Sequence, residues 1–429
     1  MQARSAAEGA SFGRGPSRSL SVERLTDPVL PPGIRIEAVP EHAGRRKRAK
    51  QRFSLFRCRL RPDLEHGVLT RTGHGITLKG EDDLADTECR LRRALVITAF
   101  LLALALAPSA LAAKPSWAQN DIETVVAAGL MAPSVAEFRP DDALTAGELA
   151  ELTAMLGGTV GVAAEPARPV QLKELDAVLV RLLKVASAAK RVRAALATAG
   201  LKPPAYAGTE IVARLLGLRL NHPEALDAIE LGPKDPITRA ETAYSVARAL
   251  ELRAAGNARD VVAGAASLQV PELSDWQRRI LARAVRFVGY PYIWGGSSER
   301  RQAPFGKDVP GGFDCSGFVW RVYKLEPFAD APELAETLQG RTTYAMSAEV
   351  SAAERIGIDA IEPGDVLFFG DKGPRSKPSQ VGHMGLYLGN GWMIHSSSRG
   401  TTILPLAGWY SDRFAWARRP LAEAGLEPS

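Results

Sequence analysis

The stretch Gly312-Phe313-Asp314-Cys315-Ser316-Gly317-Phe318-Val319 sets an acid and a thiol among small residues. It stands at the head of an apolar-periodic run. Ser316–Lys324 predicts a helix with Phe318, Val319, Val322 and Tyr323 on one face, so Cys315 falls at its N-terminus. Unpaired N–H groups and the helix dipole favour a thiolate there. A thiol so placed calls for a base. Three histidines lie beyond residue 112, and two of them, His383 and His395, share one predicted hairpin. His222, before Pro223 in a loop, is a poor candidate. Hairpin parity decides whether the two can cooperate. A two-residue Asn390-Gly391 turn pairs Leu386 with His395 and sends the rings to opposite faces. A three-residue loop with Gly391 in the left-handed bulge position pairs Gly385 with His395 and puts both rings on one face. Work on a single thiol requires the second.

At 429 residues the chain is too long for one ordinary core, and two domains with extensions are expected. The net charge of +6 is confined to the start: of 54 Lys+Arg and 48 Asp+Glu, residues 1–93 hold 19 and 12, leaving 35 against 36. The folded part therefore carries no electrostatic footprint for nucleic acid. Arg90–Arg93 is basic, Ala94–Ala107 is apolar but short for a span, and Ala110-x-Ala112 comes next, which makes 90–112 a signal peptide cut after Ala112. The membrane enters only through that segment, and the product is expected to be secreted or cell-wall associated. Residues 1–89 are expected to be a disordered or mis-assigned leader, with the true start near residue 90. Cleavage removes Cys58 and Cys89 and leaves Cys315 with no disulfide partner.

Residues 113–251 predict helices. Thr145-Ala146-Gly147-Glu148 is a capping box, Gln171–Glu174 opens a second helix, and Thr238-Arg239-Ala240-Glu241 opens a third. These three starts resemble S-layer homology modules over about 117–251, whose hallmark is a loop ending Thr-Arg-Ala-Glu before a helix. The third copy keeps the tetrad; the first has Ala146 and Gly147 within it, and the second Gln171 and Leu172. The resemblance implies a partner in cell-wall polysaccharide, and the departures set a plain packing role beside it. Residues 252–272, rich in Ala and Gly, are expected to be a linker.

From 273 to 422 the motifs accumulate: Gly-Tyr-Pro-Tyr-Ile-Trp-Gly-Gly at 289–296, Phe-Asp-Cys-Ser-Gly-Phe-Val at 313–319, Pro-Gly-Asp-Val-Leu-Phe-Phe at 363–369, and Gly-His-Met-Gly-Leu-Tyr-Leu-Gly-Asn-Gly at 382–391. In this order they closely resemble the NlpC-type cell-wall cysteine peptidases, over about 275–420. The resemblance implies an α+β fold: a papain-like domain, with a nucleophile helix packed on an antiparallel sheet, preceded by an all-α repeat domain. It implies hydrolysis of γ-D-glutamyl bonds to the diamino acid in peptidoglycan stem peptides, with no metal or cofactor. Cys315 falls on the nucleophile, His383 on the base and His395 on the third, orienting residue. Tyr292 and Asp314 fall on positions that contact substrate or complete the oxyanion site, and Ser316 can offer a backbone N–H. Trp294 is expected in the core. Ser297–Gly312 is longer than this family usually has. It carries Glu299, Arg300, Arg301 and Lys307, and either rims the cleft or is a solvated loop. The rival expectations are an amidase or acyltransferase on the same scaffold, and a cell-wall-binding protein without activity.

Overall fold

The computed structural model describes residues 115–159, 161, 164–219 and 230–427. The leader, the expected signal peptide and His222 lie outside them. Among the described residues no helix is long and apolar enough to cross a membrane.

The first half is helical: α1 (Gln119–Ala127), α2 (Ala146–Met155), α3 (Leu172–Leu182), α4 (Ala186–Thr198), α5 (Ala207–Leu215) and α6 (Arg239–Ala255). The three predicted starts are real caps. Thr145 Oγ1 accepts the Glu148 N–H while the Glu148 carboxylate accepts the Thr145 N–H, and Thr238 Oγ1 accepts the Glu241 N–H. The Glu174 carboxylate accepts the Gln171 N–H at the second start.

The loops before these caps close on one another. Leu144 N–H donates to Ile237 O, Val170 N–H to Leu144 O, and Ile237 N–H to Val170 O, each at 2.9 Å. All three side chains are buried where the copies meet. The copies thus form a ring about a pseudo-threefold axis, in which each satisfies one neighbour's donor and the other neighbour's acceptor. Arg239, the arginine of the intact tetrad, fastens the third copy to the first. Its guanidinium is buried and donates to Phe138 O at 2.7 Å, to Met131 O and to Glu148. Arg239→Ala is therefore expected to lower stability by about 2–3 kcal/mol, because two carbonyls and a carboxylate lose their donor. Thermal melting monitored by far-ultraviolet circular dichroism checks this.

Residues 252–272 are not a free linker. The last turn of α6 leads into α7 (Ala258–Val261) and α8 (Ala263–Ala266), with Val262, Ala265 and Leu268 buried, and α8 packs on α4. The small side chains that predict looseness instead permit close helix contact. The helical half then docks directly on the second half of the chain. Arg214 of α5, fully buried, pairs with Glu210 at 2.7 Å and Glu230 at 2.8 Å. It also donates to Gly289 O at 3.2 Å and to Arg399 O. Residues 114–429 form one compact unit, with a continuous apolar core through both halves.

Helix α9 (Asp275–Val285), capped by Ser274, starts the second half. The short strands β1 (Ser297–Ser298) and β2 (Gly312–Phe313) pair with each other. Helix α10 (Cys315–Tyr323) comes next, then α11 (Thr343–Ala348), β3 (Val366–Gly370), β4 (Val381–Gly389), β5 (Trp392–Ser397), β6 (Gly400–Pro405), α12 (Trp409–Arg413), β7 (Phe414–Arg418) and α13 (Pro420–Glu423). The main sheet is antiparallel throughout, in the order β6-β5-β4-β3-β7. Helix α10 packs on β4 and β5 through Phe318, Val319 and Val322 against Met384, Leu386 and Ile394. The molecule is α+β, with a helix on an antiparallel sheet after a helical half, as the sequence leads one to expect.

Candidate active site

Asp314 is the N-cap of α10. Its Oδ1 accepts the Gly317 N–H and the Ser316 hydroxyl (2.9 Å), and its Oδ2 accepts the Gly295 N–H (2.9 Å). The loop 291–296 is strapped along 312–314: Ile293 N–H donates to Phe313 O, Phe313 N–H to Pro291 O and Asp314 N–H to Gly296 O, each at 3.1 Å. Gly317 is required by this approach, since a Cβ there would stand 1.9 Å from Gly296 O. Cys315, 8% exposed, therefore sits at a rigid helix start.

Burial pushes the Cys315 thiol up to about 12, and the neighbouring Asp314 adds to this. The N–H groups of Met384, Ser316 and Cys315 itself act in the opposite sense and do not outweigh burial. Met384 is next to His383 in the chain, so this contact sets the sulfur beside strand β4. His383 is pushed down to about 4 by burial. Burial thus favours the uncharged form of both the Cys315 thiol and the His383 imidazole. At this helix start burial works against the thiolate that the N–H groups favour.

His383 Nε2 and His395 Nδ1 are 2.8 Å apart, with the rings near perpendicular. Leu386 pairs with Ile394, which sets Gly385 opposite His395 and both rings on one face. The route to this register differs from the expected one. Asn390 (φ 50°) and Gly391 (φ 77°) form a two-residue left-handed turn between Gly389 and Trp392. A bulge at Leu388 then shifts the pairing by one residue. His395 is fully buried, against the Tyr410 ring at 5.0 Å, and not cleft-facing. Burial, then the nearness of His383 and Arg399, hold its imidazole well below the ordinary histidine value.

Tyr292 lies half-buried near Cys315, Asp314 and Tyr344. Burial, then the neighbouring ionisable groups of Cys315, Asp314 and Tyr344, push its phenol well up, so it is a neutral donor. Trp294 is 66% exposed and is not a core aromatic. The loop 297–312 is an ordered hairpin: Gln302 and Val309 exchange both backbone hydrogen bonds. Two of its charges are paired, Glu299 with helix α10 and Arg301 within the loop. Arg321 holds Glu299 down at about 2, and Arg301 pairs with Asp308. What its tip presents is Phe305, 85% exposed with φ 54°, beside Gly295.

Arg341 is the residue that sequence reasoning missed. It donates to Ser316 Oγ (2.8 Å), Asp314 Oδ1 (3.3 Å) and Gly295 O (3.0 Å), tying the cap, the neighbour of Cys315 and the Tyr292 loop together. A single arginine in a loop carries no signal of this. The Thr342 cap, which accepts the Ala345 N–H, marks only the helix start behind it. Arg341→Lys keeps a charge but loses the fork. It is expected to lower kcat/KM by about 10–100-fold through misplacement of this loop, with a smaller effect on melting temperature. Steady-state kinetics on a stem tetrapeptide measure this. Two other polar side chains of this sheet region are engaged away from the histidines. Asp365 pairs with Arg419 at 2.9 Å, and exposed Asn390 donates to Gln269 O.

Comparison with known proteins matches residues 289–419 to the NlpC/P60 family and residues 112–150 to the S-layer homology domain. A gamma-D-glutamyl-L-lysine dipeptidyl-peptidase of Bacillus subtilis is 28% identical over 124 residues, which are 29% of this chain and 33% of that protein. The Bacillus cereus protein of the same name is 34% identical over 139 residues, 32% of this chain and 34% of that protein. A solved NlpC/P60 family protein from Bacillus cereus is 28% identical, covers 36% of this chain and 42% of that one, and superposes with a TM-score of 0.26. The chain spans about a quarter to a third of the length of the curated relatives it matches. The similarity to the NlpC/P60 family thus lies in residues 289–419, and that to the S-layer homology domain in residues 112–150.

Proposed function

We propose that this protein is an exported cysteine endopeptidase of peptidoglycan, cleaving γ-D-glutamyl bonds to the diamino acid of stem peptides. The observation that carries the proposal is the His383–His395 pair on one sheet face, next in the chain to the N–H that meets Cys315 Sγ. The relatives named gamma-D-glutamyl-L-lysine dipeptidyl-peptidase support the choice of bond.

In this reaction His383 takes the thiol proton on Nδ1, the ring nitrogen left over from its bond to His395. The thiolate attacks the γ-carbonyl carbon and opens it to a tetrahedral oxyanion. Neutral Tyr292 and the Cys315 N–H are the donors assigned to that oxygen. His383 then delivers its proton to the leaving amine. It next takes a proton from water, which attacks the thioester and frees the carboxylate. Neutral resting partners cost little to keep buried, and both charges appear only together, as an ion pair. Asp314 and Ser316 also build the cap that fixes Cys315, and Arg341 holds them.

We further propose domain limits of 113–272 for the helical part and 273–422 for the peptidase, with the helical repeats holding the enzyme at wall polysaccharide after removal of the signal peptide. Incubating the purified protein with muropeptides and weighing the products tests the main proposal. New free amines on the diamino acid support it, whereas freed lactyl groups indicate an amidase and defeat it.

A further inference from the structure

Behind the two histidines lies a second pair of polar groups that no part of the reaction above uses. Strand β6 pairs with β5 so that Thr402 stands directly opposite His395. Directly opposed residues of antiparallel strands share a face, with Cβ atoms about 5 Å apart. Both side chains are fully buried. His395 Nε2 and Thr402 Oγ1 each have no hydrogen-bond partner among the described residues. Two orphaned polar groups, fully enclosed and facing each other across one strand pair, are unusual in a protein interior.

Counting protons shows what they are for. If His383 accepts the thiol proton on Nδ1, its Nε2 carries hydrogen and donates to His395 Nδ1, which are 2.8 Å apart. His395 Nδ1 is then an acceptor, so its own hydrogen must sit on Nε2. That N–H points into the interior and needs an acceptor. We propose that Thr402 is a positioning residue of this site: its hydroxyl oxygen accepts the His395 Nε2 hydrogen and so locks the tautomer that keeps His383 a base toward Cys315. Hydrogen bonds of this kind are often long in the free enzyme and tighten as charge develops. Here the charge develops and stays on His383, and the hydrogen-bonded line His383–His395–Thr402 stabilises it. The inference rests on the Cys315–His383 reaction proposed above.

The other titratable or charged groups around His395 are His383 on β4, Tyr410 on α12 and Arg399 in the turn between β5 and β6. Thr402→Val leaves all of them in place and removes only the hydroxyl, with the β-branched shape kept. The test is the rate of Cys315 alkylation by iodoacetamide across pH 5–10, a readout that needs no knowledge of the substrate. Wild type, Thr402→Val, Thr402→Ser and His383→Ala are compared. Thr402→Val is expected to alkylate about tenfold more slowly at pH 7 and to move the profile to higher pH, with Thr402→Ser restoring most of the rate. An unchanged Thr402→Val profile, while His383→Ala alters it, overturns the role of Thr402 and leaves the Cys–His reaction standing. A profile indifferent to His383→Ala overturns both. Should Thr402→Val fail to fold, the ¹⁵N shifts of wild-type His395 decide: hydrogen on Nε2 supports the inference, and hydrogen on Nδ1 ends it.

Discussion

Cys315→Ala is expected to reduce stem-peptide hydrolysis to background, a fall on the order of 10⁶-fold. The substitution removes the atom that forms the thioester and little else. Asp314 still caps the helix, and the backbone of 291–296 is held by hydrogen bonds that do not involve the sulfur. Melting temperature and circular dichroism should therefore match wild type, while substrate still binds. Product weighing after long incubation provides the measurement. Hydrolysis surviving within tenfold of wild type in a clean preparation would rule out a covalent mechanism through Cys315.

The second large effect concerns His395. Because its bond to His383 is made through Nδ1, an asparagine, whose amide oxygen falls at the same distance from Cα, replaces it better than glutamine does. The expected order of activity is wild type, His395→Asn, His395→Gln, His395→Ala and last His383→Ala. Loss of tautomer control in the alanine variant can reach about 10⁴-fold. Stability will change too, because His395 is enclosed against Tyr410. The alanine leaves a cavity worth about 2–3 kcal/mol, so rates must be referred to titrated folded thiol. There is also an acid signature. Both imidazoles are neutral in the folded protein, with His383 held near 4 and His395 well below the ordinary value. The unfolded chain takes up protons first, near pH 6.5. Stability contributed by these groups is present above pH 6.5 and is lost as pH falls from there toward 4. His395→Asn should flatten part of that slope in urea titrations. Full activity in folded His395→Ala would refute the two-histidine arrangement.

Much of this site is legible in the chain because its determinants are local. Asp314 to Gly317 announces a capped helix with a thiol at its head, and the alternation around His383 and His395 announces a hairpin. Even the required register can be stated beforehand, although not the means, since a bulge at Leu388 leaves no mark in a run of apolar residues. Arg341 and Arg214 are illegible for the opposite reason. Each acts on carbonyls far away in sequence, and a lone arginine in a polar stretch looks solvated until the fold brings its partners. Trp294 misleads in the other direction, an aromatic in a Gly-rich motif that the backbone turns outward. The effect of burial also eludes sequence, since at Cys315 it works against a helix terminus that is visible in the sequence.

The closed ring of Leu144, Val170 and Ile237 has a consequence for how such a chain can vary. A linear stack of repeats can grow or shrink by one unit, because each unit needs only its neighbours. A ring in which every copy's donor serves one partner and its acceptor the other has no free end at which a fourth copy could join. Loss of one copy would strand a donor on one survivor and an acceptor on the other. Variation is thereby diverted into the connections between copies. The longest of these, from the second copy to the third, holds α4 and α5, and it is α5 that reaches across to Gly289 and Arg399 through Arg214. The number of copies is frozen, while the insert is where one half of the molecule acquired its grip on the other.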